Sequence, residues 1–386
     1  MKYQQDRAWM EISLDAIEEN YRRIQDFIGP ERKIMAVVKA DAYGLGALPI
    51  SRALEKLGCP YFSVACLEEA MELREGGIQA PILTLGPIFP QHVALAIQNG
   101  IRVPAVSLEQ AKALSQAAVE AGGKLTVHIK ADVGLARFGL VLTGREKEAA
   151  EEALAIAALP GLTVEGVFTH YTAVQLGKGD HFNREQINRF DTFCSLLRES
   201  GLTFLKHSAS SYFAAVYPES HNDCVRVAAL LLGLEAPAER GVACAPSAQL
   251  KTRIWQIKEI PEGVPVGYGP TVHTLRPTRL AVIPLGFADG IRRSIAGQVP
   301  FLLHGQQVPI LGKICMDYTM LDVTDIPEAK EGDVVTVFGE DGALSFQSYE
   351  LAACYPGSVG ELTSVLNPRI PRFYTRKGKI TGRLDE

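Results

Sequence analysis

The chain has 386 residues, 47% of them hydrophobic, and a net charge of −5 from 39 Lys and Arg against 44 Asp and Glu. This balance predicts a globular protein of two domains, and the lack of a dense basic block argues against a nucleic-acid partner. No apolar run approaches the roughly 20 residues that cross a bilayer, so no membrane partner is expected. Seven scattered cysteines and a polar N-terminus without a secretory signal favour a cytoplasmic protein with reduced thiols.

Short apolar segments alternate with helical patterns through the first part of the chain. Eight of them predict strands: Ile34 to Val38, Tyr61 to Val64, Pro81 to Leu85, Ile101 to Val103, Leu125 to Ile129, Thr163 to Phe168, Thr203 to Lys206 and Cys224 to Val227. Eight strands alternating with helices predict an α/β fold with an N-terminal (β/α)8 TIM-type barrel over residues 1–240. An open doubly wound sheet is the alternative.

The pattern changes after about residue 241, where helical periodicity fades. Runs bounded by Gly, Pro and Asp predict strands at Arg279 to Pro284, Val308 to Leu311, Met320 to Val323 and Val334 to Phe338. Residues 241–386 are therefore expected to form a mostly β C-terminal domain, with one helix near Glu340 to Ala353. The first ten or so residues of the chain are expected to pack with this domain.

Polar residues follow most of the predicted barrel strands, where the loops after the strand ends build active sites. They are Lys39, Tyr43, Lys130, Asp132, Arg137, His170, His207, Ser211 and Arg226. Such a cation-rich set favours an anionic, ring-bearing ligand over a metal. Lys39 directly follows an apolar strand, where burial and nearby cations lower an amine pKa, as a Schiff-base lysine requires. A solvated lysine at a strand end is the alternative.

Seven short segments resemble, in order and spacing, the motifs of bacterial alanine racemases, which use pyridoxal 5'-phosphate. These segments are Ala36–Gly44, Val127–Gly139, Gly166–His170, Gly267–Gly269, Gly286–Gly290, Ile314–Asp317 and Arg369–Arg372. The resemblance extends from about Ala8 to Arg372. It implies a barrel followed by a β domain, and a homodimer with two shared active sites that acts on a small amino acid.

The resemblance also implies catalytic roles for two residues. Lys39 would bind the cofactor covalently and act as one acid/base group, and Tyr268 of the partner subunit would act as the other. Two groups on opposite faces of the substrate α-carbon are what racemisation requires, because one removes the proton and the other returns it.

Further roles follow from the same resemblance. The implied cofactor-binding residues are Tyr43, Ser211 and Ala228 near the phosphate, His170 against the pyridine ring, and Arg226 facing its nitrogen, with His207 continuing the hydrogen-bond network. Arg137 and the backbone of Met316 would bind the substrate carboxylate. Lys130 would support Arg137 as a carbamate, and Asp317 would lie on the substrate route. No metal is implied.

Several positions differ from the family pattern: Leu45, Ser210, Ala228, Leu232, Phe287, Lys313 and Gly360. The changes at Phe287 and Gly360 each remove a tyrosine hydroxyl, so we expect weaker cofactor retention. If neighbouring residues refill the space, alanine is the expected substrate. If they do not, Gly360, Phe287 and Leu232 predict a racemase of broader range, accepting serine, basic or larger aliphatic amino acids.

Two other functional classes remain as alternatives. A decarboxylase built on the same two domains fits the segments around Tyr268 and Met316 less well. A non-catalytic carrier of pyridoxal phosphate would resemble the barrel alone, whereas this chain continues for about 145 residues and contains Tyr268.

Overall fold

The computed structural model describes residues 7–172, 179–235, 241–269, 271–354 and 357–383. The described strands are β1 (Ala8–Ser13), β2 (Lys33–Val37), β3 (Tyr61–Val64), β4 (Ile82–Thr84), β5 (Ile101–Ala105), β6 (Leu125–Asp132), β7 (Leu140–Val141), β8 (Leu162–Phe168), β9 (Leu205–His207), β10 (Cys224–Val227), β11 (Ala248–Arg253), β12 (Gln256–Ile260), β13 (Thr278–Ile283), β14 (Pro300–Leu303), β15 (Gln306–Pro309), β16 (Thr319–Asp322), β17 (Val334–Asp341), β18 (Leu344–Phe346), β19 (Arg372–Arg376) and β20 (Lys379–Arg383). The described helices are α1 (Leu14–Ile28), α2 (Lys39–Gly44), α3 (Ala47–Lys56), α4 (Leu67–Glu75), α5 (Val93–Gln98), α6 (Leu108–Glu120), α7 (Glu146–Ala157), α8 (Asp180–Glu199), α9 (Ser211–Val216), α10 (Ser348–Ala353) and α11 (Val359–Ser364).

Eight parallel strands, β2 to β6 and β8 to β10, form a barrel that closes where β10 pairs with β2. The predicted (β/α)8 barrel is confirmed, and the open sheet is excluded. Strands such as β10 are buried along their whole length, because the outer helices cover one face and the barrel interior the other. That double burial is why most of these strands appear in the sequence as short, mainly apolar runs.

Helix α1 comes before the first barrel strand and packs beside the segment that follows the last one. Its N-terminus is capped by Ser13, whose hydroxyl accepts from the amide of Ala16 at 3.2 Å. Asn20 is fully buried and donates to the carbonyls of Leu231 and Ala245 at 3.1 and 2.9 Å. These bonds fix the region just after β10 to the outside of the barrel.

The second part of the chain is mostly β. An eight-stranded sheet includes β1, which pairs antiparallel with β11 and parallel with β19, and a separate three-stranded sheet has the order β12-β13-β16. The N-terminal strand thus belongs to the sheet of the C-terminal half. The predicted boundary between residues 240 and 241 follows 236–240, which lie outside the described residues.

The helix predicted near Glu340 to Ala353 is only partly correct. Strand β17 continues to Asp341 and β18 follows, so only Ser348–Ala353 is helical. The start of this helix is set by a capping box, in which the amide of Gln347 donates to Oε2 of Glu350 at 2.6 Å. The residues before Gln347 instead form a hairpin, in which β17 and β18 pair antiparallel.

The β half contacts the barrel directly behind Lys39. Arg372 donates from Nε to the carbonyl of Gly44 at 3.2 Å, and the Tyr374 hydroxyl donates to the carbonyl of Leu45 at 2.9 Å. A Cβ on Gly44 would lie 2.2 Å from the Thr363 carbonyl oxygen, so only glycine allows this approach. The second domain therefore supports the loop that carries Lys39.

The structure forms no disulfide among the seven cysteines, all of which lie within the described ranges. Within those ranges, no helix has the length and apolar character needed to span a membrane. The described residues also contain no cluster of His, Cys, Asp and Glu that could hold a metal ion.

Candidate active site

Lys39 lies at the carboxyl end of β2, at the start of an unusual turn. Residues Ala40 to Tyr43 have φ between 51 and 59°, which is left-handed backbone in four successive residues other than glycine. Each such residue costs roughly 1–2 kcal/mol. Glu69 supports the turn, because its two oxygens accept from the amides of Ala40 at 2.7 Å and Ala65 at 2.6 Å. Strain of this kind is concentrated at functional sites.

Two adjoining cavities open at Lys39, with volumes of about 210 and 230 Å³. Both are lined by Lys39, Leu85, His170 and Arg226. The first adds Ala65, Gly86, Arg137, Phe138 and Phe168, and the second adds Val37, Tyr43, Ser210, Ser211, Tyr212, Ala228, Ala229 and Glu235. Six of the nine predicted barrel residues thus surround one space, whereas Lys130, Asp132 and His207 line neither cavity.

The cations in this space lower one another's pKa values. Burial, followed by the charge of Arg137, lowers the pKa of the Lys39 amine, which is the direction predicted from the sequence. Burial and then Arg226 and Arg137 lower the pKa of His170 to about 3, so its ring is neutral at physiological pH. The Lys39 amine is therefore more readily available as a nucleophile than an exposed lysine would be.

Lys130 is buried below this space, between two aromatic rings. Its Nζ lies 5.4 Å from the ring centre of Phe168 and 5.9 Å from that of Phe138, and donates to the Ala131 carbonyl at 2.6 Å. Burial and the charge of Arg226 lower its pKa to about 7. Lys130 does not line either cavity.

The loop that carries Arg137 is organised by Asp132. One carboxylate oxygen accepts from the amides of Gly134 at 2.8 Å and Ala136 at 3.2 Å, and the other accepts from the Arg137 amide at 3.1 Å. The guanidinium of Arg137 lies over the Phe138 ring at 5.2 Å. Asp132 therefore shapes this loop rather than providing a carboxylate to the cavity.

Arg226 is buried and lines both cavities. Its Nη2 donates to the carbonyls of Thr169 at 2.7 Å and Ser208 at 3.0 Å, and its Nη1 lies 3.2 Å from Nδ1 of His207. Burial lowers its pKa to about 10, which leaves the guanidinium charged at neutral pH. The Arg226 and His207 pair predicted from the sequence is thus present.

Hydroxyl and amide groups are concentrated in the second cavity. The Ser211 hydroxyl accepts from the Ala228 amide at 3.0 Å and the Leu230 amide at 3.4 Å. The Tyr43 phenol also lines this cavity, and burial, followed by the charge of Glu235, raises its pKa. The space as a whole has hydroxyls in one cavity, the guanidinium of Arg137 in the other, and the Lys39 amine and the Arg226 guanidinium in both. This donor set fits the phosphate, aldehyde and ring nitrogen of pyridoxal phosphate.

Tyr268 lies elsewhere in the chain. It is 67% exposed and lines an open groove with Gln256, Lys258, Cys315 and Tyr318. Met316 is also largely exposed, at 56%. None of the described residues that line the two cavities at Lys39 lies beyond position 235, so a single chain does not bring Tyr268 to Lys39.

Asp317 and Phe287 lie in the same β half as Tyr268. Asp317 accepts from Arg369 at 2.7 Å, and Arg369 also contacts the buried Asp289 at 2.7 Å. The Phe287 ring is 38% exposed and has the guanidinium of Arg293 at 5.7 Å. Both residues therefore lie at or near the surface.

Two of the positions expected to widen the pocket, Leu232 and Gly360, leave no open space in either cavity. Leu232 is completely buried in the hydrophobic core and lines neither cavity, so its effect on substrate range stays a prediction that these cavities do not support. Gly360 does not leave an open space, because a Cβ there would lie 2.9 and 3.0 Å from two ring carbons of Tyr43. The Tyr43 ring occupies part of the volume beside Gly360.

Some site residues were missed by the sequence reasoning. Phe138 and Phe168 form aromatic walls, and Glu69 holds the turn after Lys39. Glu69 appears in the sequence as an acidic residue in the first turn of a helix. That position by itself predicts only a favourable interaction of the carboxylate with the helix dipole. Its bond to Ala40 depends on two loops meeting in space.

The fold and the site define a two-domain barrel enzyme with a desolvated lysine in a cation-rich pocket. Family profiles described as "Alanine racemase, N-terminal domain" and "Alanine racemase, C-terminal domain" match residues 12–236 and 247–374. The chain therefore belongs to the alanine racemase family.

Individual relatives support this assignment over nearly the whole chain. An alanine racemase of Desulfosudis oleivorans is 37% identical over 376 residues, covering 95% of this chain and 96% of the relative. One of Methanococcus maripaludis is 34% identical, covering 95% and 98%. The solved alanine racemase of Clostridium difficile 630 superposes with a TM-score of 0.91 at 29% identity, covering 98% of both chains. That of Bacillus anthracis, described with bound L-Ala-P, gives 0.90 at 29%, covering 98% and 97%.

Proposed function

We propose that this protein is a pyridoxal-phosphate-dependent racemase that interconverts L- and D-alanine. The observation that carries the proposal is the Lys39 amine, which has a lowered pKa, lines both cavities together with the Arg226 guanidinium, and shares one of them with the hydroxyls of Tyr43 and Ser211. The family membership supports the same activity. The seven unpaired thiols support a reducing, cytoplasmic location.

The residues around Lys39 would each hold one part of the cofactor. Bound pyridoxal phosphate supplies an electron sink that acidifies the α-proton of an amino acid. The hydroxyls of Tyr43 and Ser211 and the amide of Ala228 would bind the phosphate, and the neutral ring of His170 would pack beside the pyridine. Arg226 would face the ring nitrogen, and because a guanidinium only donates, it would keep that nitrogen unprotonated.

Racemisation needs two groups that exchange a proton with the α-carbon from opposite faces. Lys39 would serve one face through Nζ, because its lowered pKa makes this amine easier to deprotonate than an exposed lysine. The phenol of Tyr268 from the partner subunit would serve the other face. We base the partner's contribution on Tyr268, Met316 and Tyr318, which are 67%, 56% and 43% exposed and form a surface suited to a second copy.

The substrate carboxylate would be bound by Arg137, together with the backbone of Met316 from the partner subunit. Asp132 holds the Arg137 loop, and a carbamate formed on Lys130 would orient Arg137 by charge attraction. A buried lysine with a pKa of about 7 is largely unprotonated at physiological pH, as reaction with carbon dioxide requires. Asp317 would lie on the substrate route, where Arg369 holds it.

Alanine is the proposed substrate because the Tyr43 ring fills part of the space that Gly360 would otherwise leave. A small side chain suits this arrangement. A hydrophobic pocket separates substrates by only about 1–3 kcal/mol per methylene, so slower reaction with serine is expected.

The proposal is tested by incubating the protein and pyridoxal phosphate with single L-amino acids in deuterium oxide. Loss of the α-proton is followed by NMR, and chirality is measured by chromatography, for alanine, serine, lysine, arginine and leucine. Alanine should exchange fastest and racemise. A faster rate with another amino acid would reassign the substrate, carbon dioxide release would indicate a decarboxylase, and cofactor binding without exchange would indicate a carrier.

A further inference from the structure

A series of polar side chains connects Arg226, through two histidines, to Glu165. His207 Nδ1 lies 3.2 Å from Arg226 Nη1, and His207 Nε2 lies 2.8 Å from His128 Nδ1. His128 Nε2 lies 3.8 Å from Oε2 of Glu165. Both imidazole rings are completely buried.

The directions of these hydrogen bonds can be assigned from the arginine. A guanidinium only donates, so Nδ1 of His207 must accept and its proton is on Nε2. That Nε2–H then donates to Nδ1 of His128, which puts the His128 proton on Nε2. The His128 Nε2–H is buried and has no hydrogen-bond partner within the described ranges, and it is directed towards Glu165.

Glu165 is held as a carboxylate at the far end. Its Oε1 accepts from the Tyr61 hydroxyl at 2.8 Å, and its Oε2 accepts from Nε of Arg102 at 2.8 Å. Burial alone would raise its pKa, but the interactions with His128, Arg102 and Tyr61 outweigh burial and lower the pKa to about 2. Burial keeps both histidines neutral by lowering their pKa values.

The fold makes specific room for the His128 ring. A Cβ on Gly166 would lie 2.3 Å from Nδ1 and 2.6 Å from Cε1 of His128. A register shift between Val127 and His128, in the pairing of β6 with β8, places His128 opposite this glycine. Phe168 stacks on His207 with parallel rings and a 5.0 Å centroid distance. The two rings are therefore fixed by packing as well as by hydrogen bonds.

We propose that Glu165 and His128 are positioning residues for Arg226, acting through the directed series Arg226 to His207 to His128 to Glu165. The carboxylate stabilises the protons on Nε2 of both rings, so that His207 always presents an acceptor to Arg226.

The consequence for the reaction rests on the proposed function. Arg226 held in this way keeps the pyridine nitrogen of the cofactor unprotonated, which favours return of the proton to the α-carbon. If Arg226 moves, the competing outcome is transamination, in which L-alanine and pyridoxal phosphate give pyruvate and pyridoxamine phosphate. The ratio of pyruvate formed to racemisation events therefore reports how well Arg226 is positioned.

The hydrogen-bond directions are tested first in the protein without cofactor, by NMR of ¹⁵N-labelled histidine. Both His128 and His207 should carry one proton, on Nε2, throughout the neutral pH range. A proton on Nδ1 of either ring, or a charged ring, would overturn the proposal. This measurement does not depend on activity. It therefore distinguishes an error in the proposed hydrogen-bond series from an error in the racemase assignment.

Matched variants then test the positioning role. His128→Leu removes the acceptor for His207, whereas His128→Gln replaces it with an amide oxygen. We expect His128→Leu to raise the pyruvate ratio about tenfold, the equivalent of one lost hydrogen bond near a charged group, and His128→Gln to restore most of it. Glu165→Gln should move the ratio in the same direction.

Glu146→Gln is the control, because Glu146 pairs with Arg189 at 3.4 Å outside this series. An unchanged pyruvate ratio in folded His128→Leu and Glu165→Gln proteins would contradict the positioning role. An equal rise of the pyruvate ratio in His128→Leu and His128→Gln would show that His128 acts by packing instead, and would also overturn the proposal.

Discussion

The Tyr43 ring lies against Gly360, with two of its carbons 2.9 and 3.0 Å from the position that a Cβ on Gly360 would occupy. Tyr43 belongs to the left-handed turn after Lys39, and Gly360 belongs to α11 of the β half. The absence of a side chain at 360 thus allows the Tyr43 ring to take its place. Tyr43 and Gly360 depend on each other, so neither can be changed alone without affecting the cofactor site.

We predict that Gly360→Ala weakens cofactor binding and that Gly360→Tyr weakens it further, which reverses the expectation from the sequence that a tyrosine hydroxyl at this position would improve cofactor retention. The new Cβ displaces the Tyr43 ring, and with it the phenol proposed to bind the phosphate. The dissociation constant of pyridoxal phosphate, measured by fluorescence, should rise several-fold. Gly382→Ala is the control, because a Cβ there meets no atom within 4 Å. Tighter binding by Gly360→Tyr would show that the added hydroxyl replaces the one from Tyr43.

A mixed-subunit experiment tests the shared site. Lys39→Ala and Tyr268→Phe proteins should each be inactive, since each lacks one of the two proton-transfer groups. When equal amounts are unfolded and refolded together, half of the dimers should be hybrids with one intact site, which restores about one quarter of the wild-type rate. No recovery, despite hybrid dimers seen by native mass spectrometry, would place both residues in the same subunit's site.

The barrel was predictable because most of its strand residues are buried and several strands, such as β4 and β10, are mainly apolar. The pocket residues at the strand ends followed from that fold. The left-handed turn was not predictable, because Ala40 to Tyr43 contain no glycine to mark positive φ. The position of Glu165 beside His128 was also missed, since it depends on the pairing register of β6 and β8 rather than on spacing in the chain.

Lys130 should make stability depend on pH in a protein kept free of carbon dioxide. The pKa of Lys130 is about 7 in the folded protein, against a reference value of 10.5. Between pH 7 and 10.5 the Lys130 amine is therefore protonated in the unfolded chain and mostly unprotonated in the folded protein. Relative to Lys130→Met, the wild-type free energy of unfolding should therefore rise with pH by about 1.4 kcal/mol per unit in that range.

Urea unfolding of both apoproteins at several pH values measures this difference. Parallel curves for wild type and Lys130→Met would contradict the lowered pKa. Added bicarbonate should raise the wild-type free energy of unfolding if the proposed carbamate forms in the folded protein alone. The slope should remain, because conversion of a protonated lysine and bicarbonate to a carbamate and water also releases one proton. ¹³C NMR with labelled bicarbonate would detect the carbamate carbon directly.

Glu69→Gln should disturb the turn that carries Lys39. Each Glu69 oxygen accepts from one backbone amide, Ala40 or Ala65, and a glutamine would place an NH2 group against one of them. The lost hydrogen bond and the unsatisfied donor should lower the free energy of unfolding by about 1–3 kcal/mol. The loss of a negative neighbour should also lower the pKa of Lys39 further, because the charge of Glu69 raises it.

The pH dependence of cofactor attachment to Lys39, followed by absorbance, measures the second effect. The midpoint of cofactor attachment should move to lower pH in Glu69→Gln. The uncharged Lys39 amine is the reactive form, and a lower pKa means that this form appears at a lower pH. Glu68→Gln is the matched control, since this carboxylate is one residue earlier in the same helix and has neither backbone bond. Equal shifts in the two variants would show a general charge effect rather than support of the left-handed turn.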